Sequence, residues 1–175
     1  MTYKLVAQDD PILSSKTEHF DFDNPPMDAT ELFENLKETM IKNKGYGLAA
    51  PQVGIPYSAF VMGDPNNPDT IFSVFNPKIV NQEGMTEMDE GCLTFSGLFI
   101  KIKRPAVIRV RFSGHDGYVD TTDFSGYTAR VFQHENDHLN GICFVDRASK
   151  LRLERAKKQK QKLDKIRKKS VGVGK

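Results

Sequence analysis

The order in which residue patterns change along this 175-residue chain predicts an α+β fold. A segment with helical spacing comes first, strand-like stretches follow, and a second helical segment leads into a basic helical end. No internal repeat interrupts that order. A hydrophobic fraction of 38% over this length suits one folded body with a real core.

Taken in order, Asp28 stands where it can cap a helix reaching to about residue 43, because Leu32, Phe33, Leu36 and Met40 recur at helical spacing. Gly45 is expected to end that helix and to open an extended, glycine-punctuated segment through Gln52. Strand-like runs follow at 57–62, 71–80, 99–103, 106–112 and 118–122, with a Pro/Asn-rich loop at 64–69. Ser125 can cap the next helix, expected to run to about residue 140, where Gly141 is the natural C-terminal cap. The expected architecture is therefore antiparallel or mixed sheets packed around a central helix, with one helix before them and a basic one after.

Charge is unevenly spread. Residues 150–169 hold eleven Lys or Arg against Glu154 and Asp164, and Lys175 adds one more, so the rest of a chain of net charge +2 carries −8. Leu151, Leu153, Leu163 and Ile166 give the basic segment a sparse apolar stripe, so a helix lying partly on the body is expected. No stretch approaches the ~20 apolar residues that span a bilayer, and no signal or transit peptide is expected. Two cysteines at unlike positions suggest no disulfide framework and fit a reducing cytoplasm.

The most informative segment is His134-Glu135-Asn136-Asp137-His138. A helix turns ~100° per residue, so two histidines four apart project from nearly the same face and can share one metal ion. Glu135 lies beside them, where it could take a proton from water. Two imidazoles leave a metal under-coordinated, so the third ligand decides the chemistry. A His-Glu-x-x-His-x-x-Gly-x-x-His pattern fails, because Gly141 fits but Phe144 occupies the last position. Glu154 lies in the lysine-rich run, a poor place for a buried ligand. Cys143 is weakened and not excluded, since the helix ends between it and His134. Cys92, in a glycine-containing turn Glu90-Gly91-Cys92-Leu93-Thr94, is the favoured third ligand.

Three segments in order then carry a resemblance: Gly45-Tyr46-Gly47-Leu48-Ala49-Ala50-Pro51-Gln52, Glu90-Gly91-Cys92-Leu93-Thr94, and Gln133-His134-Glu135-Asn136-Asp137-His138-Leu139. Together they resemble the three signature motifs of the peptide deformylases. Asp10-Pro11-Ile12-Leu13 and Arg104 extend the likeness, which covers about residues 5–148. Thr94 stands where the family usually has serine and keeps the hydroxyl. Phe99 stands where many members have arginine, and Arg130 where an apolar pocket residue is common.

The resemblance implies a metal-dependent hydrolase that removes the N-formyl group from the initiator methionine of nascent polypeptides and releases formate. Residues 1–148 would form the catalytic domain and 149–175 a basic helical extension. It implies Cys92, His134 and His138 as ligands of one divalent ion, Fe2+ foremost, with Zn2+, Ni2+ or Co2+ as other occupants. Glu135 would be the acid–base, with Gln52 and the Leu93 backbone N–H donating to the oxyanion. Tyr46, Gly47, Glu90 and Tyr127 would meet substrate, and Tyr46, Leu93, Phe124 and Tyr127 are candidates for an apolar methionine cavity. Gln133 and Asp137 are candidate supports for the ligands. N-formylmethionyl peptides are the expected partner, and the ribosome a second, approached through the basic end; neither DNA nor membrane is expected. The rival readings are a metallopeptidase or other amide hydrolase, and a ribosome- or RNA-binding module with a vestigial site.

Overall fold

Helix α1, Ala29–Lys42, begins where its cap predicts: the Asp28 carboxylate accepts from the Glu31 N–H at 2.8 Å. Its inward face buries Leu32, Phe33, Leu36 and Met40. The helix ends on Lys44, not Gly45, in the left-handed conformation (φ 57°), with Lys44 N–H donating to Ile41 O and Gly45 N–H to Met40 O. The computed structural model describes residues 1–171.

The strands are β1 (Gly47–Ala49), β2 (Ala59–Met62), β3 (Phe72–Glu83), β4 (Thr86–Glu90), β5 (Ile100–Arg104), β6 (Val107–Ser113) and β7 (Val119–Ser125). Five of them form an antiparallel sheet in the order β1-β2-β3-β6-β7, and β4 and β5 form a separate antiparallel hairpin. The named strands thus pair only antiparallel, where the sequence left mixed sheets open. The predicted run at 57–62 starts two residues later, at Ala59, and the one at 71–80 extends to Glu83. β4 and the three-residue β1 are strands that hydrophobic alternation did not identify.

Helix α2, Gly126–Leu139, lies on the sheet face opposite α1. Ala59 and Val61 of β2 face the α1 core, while Phe60 and Met62 face the α2 core with Val74, Ile108, Val110 and Phe132. Cover on both sides explains why every residue of β2 is buried. Each of the larger side chains among these contributes roughly 1.5–3 kcal/mol by leaving water. Ser125 holds the N-cap position, yet its side chain makes no capping bond. The other end is closed by Gly141 (φ 70°), with Gly141 N–H on His138 O and Ile142 N–H on Asp137 O.

A third cluster joins the β4–β5 hairpin to the segment after α2. It contains Leu98, Ile100, Ile102 and Phe144, with Leu153 and Ala156 from helix α3, Lys150–Val171. Of the expected apolar stripe only Leu153 packs; Leu151, Leu163 and Ile166 are exposed. Arg152 anchors α3 to the hairpin through Glu87 and Lys101 O. The end of the predicted extension, 172–175 with Lys175, lies outside the described residues. Among the described residues no helix is long and apolar enough to cross a membrane.

Candidate metal centre and active site

Helix α2 carries His134, Glu135 and His138 on its buried side. The turn after β4 brings Cys92 in from the other side. One ligand atom from each of Cys92, His134 and His138 lies within 4.8 Å of the others, and Cys92 Sγ is 3.4 Å from His138 Nε2. That separation is close to the ~3.5 Å edge of a tetrahedron of nitrogen and sulfur ligands. The alternative third ligands fall outside this group. Burial, with the charge of Cys92, pushes the Cys143 thiol up to about 12, which disfavours the thiolate a metal requires. Glu154 lies on exposed α3, and Phe144 packs its ring against His134 instead.

The donor set fits a divalent transition ion. His134 Nδ1 is 3.0 Å from Glu90 Oε2, which leaves Nε2 for the centre. Burial works against a charge on His134, yet hydrogen bonds to Cys92 and Glu90 outweigh it and raise the ring to about 10. Burial, with the charges of His134 and Arg104, holds His138 well below its usual value, in the neutral form that can bind a metal. Glu135 Oε2 is buried with no hydrogen-bond partner among the described residues, and burial foremost raises this carboxyl to about 7. A buried carboxyl with one unpartnered oxygen, beside side chains that could hold a metal, is suited to exchanging a proton.

A cleft of about 580 Å³ opens onto these groups. Gly47 forms part of its wall for a steric reason: a Cβ there would lie 2.3 Å from Glu135 Oε1. Gln52 is buried and oriented by its neighbours, Oε1 accepting from Ala49 N–H at 2.9 Å while Nε2 faces Cys92 Sγ at 3.3 Å and Thr94 Oγ1 at 3.1 Å. Thr94 therefore keeps a hydrogen-bonding role. The Leu93 N–H donates to no backbone carbonyl among the described residues. Tyr46 and Tyr127 line the cleft and meet edge to face, 5.3 Å apart. Leu93 and the exposed Phe99 line it as well. Phe124 does not: it packs on Phe72 and Phe132 in the α2 core, because its register on β7 turns it to that face.

Glu90 borders the cleft but has both oxygens engaged. Arg104 donates to Oε1 at 2.6 Å and Oε2 at 2.9 Å, Arg130 to Oε1 at 2.8 Å, and His134 occupies Oε2. Glu90 thus sits behind His134, with its carboxylate taken up by these partners and not free to bind a peptide. Burial alone would raise it, but these hydrogen bonds and charges hold it well below the usual carboxylate range. Arg104 also reaches Asp137 at 2.7 Å, and Arg147 closes on the same carboxylate. The expected supports lie elsewhere: Gln133 bonds Pro105 O and Ala129 O, and Asp137 bonds arginines, so neither bonds the His134 or His138 ring. His138 Nδ1 has no partner among the described residues. The network of Arg104, Arg130 and Arg147 around two acids escaped sequence reasoning. The usable signal was Arg130, a charge one turn before His134 on the same buried face.

A two-histidine helix, its glutamate and a cysteine from a separate hairpin, at the base of a peptide-sized cleft, define a metal-dependent amide hydrolase. The sequence matches the family described as Polypeptide deformylase over residues 2–154. A peptide deformylase of Thermotoga petrophila is 40% identical over 148 residues, covering 84% of this chain and 87% of its own. The solved peptide deformylase of Thermus thermophilus superposes with a TM-score of 0.83 at 36% identity, covering 92% of this chain and 94% of that one. That of Synechococcus elongatus gives 0.84 at 30%, covering 91% and 88%. The chain belongs to the polypeptide deformylase family, and its reaction is removal of the N-formyl group from nascent peptides.

Proposed function

We propose that Glu135 moves the proton in this reaction, with Cys92, His134 and His138 holding the metal. Fe2+ is the proposed occupant, and Zn2+, Ni2+ or Co2+ can replace it at a site of this composition. When bound, the ion supplies a Lewis acid that polarises the formyl oxygen and makes nearby water easier to deprotonate. Glu135 takes the proton of the attacking water and returns it to the departing amine, so that formate and a free methionine terminus result. Gln52 Nε2 and the Leu93 N–H donate to the oxyanion as it develops. Gly47 offers a close backbone approach to an extended peptide, and Tyr46, Tyr127 and Leu93 surround the methionine side chain.

The observation that carries this reading is Glu135: buried, partnerless at Oε2 and raised to about 7, where a carboxyl can both accept and donate near neutrality. Glu135→Ala should lower formate release from formyl-Met-Ala-Ser by ~10²–10⁴-fold while the metal content of the purified protein is unchanged. Turnover equal to wild type refutes the assignment, and release of an amino acid in place of formate would point to a peptidase.

The same reading makes 1–148 the catalytic unit, working in the cytoplasm, and 149–175 an extension that meets the ribosome. The clustering of Lys and Arg in α3 and the exposure of Leu163 and Ile166 support a contact with an anionic, partly apolar surface.

A further inference from the structure

Cys92 and the two histidines belong to different parts of the fold. The cysteine follows β4, in a hairpin separate from the main sheet, while the histidines ride on α2, packed against that sheet. Their convergence therefore depends on what fixes the hairpin against the helix. Arg130 is the residue of α2 that reaches both strands of the hairpin. Its Nη1 donates to Glu90 Oε1 at 2.8 Å and to Ile102 O at 3.0 Å, and its Nη2 to Thr86 O at 2.9 Å. The guanidinium is buried, so these bonds form out of water, where they are least replaceable. Glu90 in turn holds His134 Nδ1. Arg104 holds Glu90 too, but it sits on β5 of the same hairpin and reaches α2 through Asp137.

We propose that Arg130 is a positioning residue, setting the distance between Cys92 and the histidine pair by clamping β4 and β5 to α2 and fixing the Glu90 carboxylate behind His134. Arg130 borders the cleft, but its guanidinium is committed to the hairpin through these three bonds, and it is not one of the residues grouped for a metal. Its effect is on how firmly the three ligands hold a cation, and it rests on the reading of Cys92, His134 and His138 as those ligands.

The test uses Co2+ as the probe, with the full chain loaded at one ion per protein. Release to an excess of chelator is followed through the cobalt–thiolate absorption, which reports on Cys92 directly. Arg130→Met should release Co2+ ~10–100-fold faster than wild type, the range typical for losing a support behind a ligand. Arg130→Lys, which keeps the charge without the planar fork, should fall between. Release from Arg130→Met within twofold of wild type overturns the proposal. If Arg130→Met gives no cooperative melt, Arg130→Lys carries the test, and wild-type release from it overturns the proposal equally. A wild-type chain that binds no Co2+ overturns the ligand assignment itself, a result distinct from failure at Arg130 alone.

Discussion

Glu135 combines two demands that oppose each other. It must be buried to lie beside His134 and His138, and burial is what makes its charged form unfavourable. A carboxyl raised from 4.5 to about 7 on folding contributes stability that is fully present below the lower value and is lost as pH rises through the higher one. The loss for one group shifted this far is on the order of 3 kcal/mol. Metal-free Glu135→Gln should therefore match metal-free wild type near pH 4.5 and exceed it in stability at pH 8. Urea midpoints at the two pH values measure this, and curves for the two proteins that stay parallel across the range would refute it. Glu90 shows the reverse arrangement: it is equally buried, yet three partners keep it ionised. Two glutamates are set to different states by the hydrogen bonds one has and the other lacks.

Among the elements, α2 depends most on a single backbone position. Gly141 takes a left-handed φ of 70°, and a Cβ there would lie 2.7 Å from the Ser14 carbonyl carbon, which is backbone and cannot swing away. The N-terminal arm docks at this point, Thr17 N–H donating to Leu139 O at 2.9 Å. Gly141→Ala should thus destabilise the chain by more than ~1 kcal/mol, lowering Tm by several degrees, at roughly 2–4 °C per kcal/mol for this size. An unchanged melt would show that the arm yields. This ending was legible in the sequence, as were both core helices, because caps and helical spacing are local signals. Thr86-Glu87-Met88-Asp89-Glu90 was not, since a polar strand on a small hairpin shows little hydrophobic alternation. That Cys92 would meet His134 and His138 in one place was legible from residue chemistry and motif order. Glu90 behind His134, 44 positions away, was not, because nothing near either residue encodes the pairing.

For the molecule as a whole, the distribution of charge matters more than its sum. A body of negative balance carries a helix of dense positive charge, joined through Leu153, Ala156 and Arg152 near its start. Ending the chain after Lys157 would keep those contacts and remove most of the exposed lysines. Ribosome binding at low salt should then fall markedly and depend less on salt, while formate release from a short formylated peptide stays within about twofold of wild type. Sedimentation with ribosomes measures the first, and binding that is unchanged removes the ribosome from the proposal.

At position 47 only a hydrogen atom separates the main chain from the Glu135 carboxyl. An inhibitor seated on that floor presses on a surface the gene cannot reshape without evicting the residue beside it. Drug resistance in this protein should therefore arise at the exposed aromatic rim, at Tyr46, Phe99 or Tyr127, and compounds anchored deep against the glycine should retain potency longest.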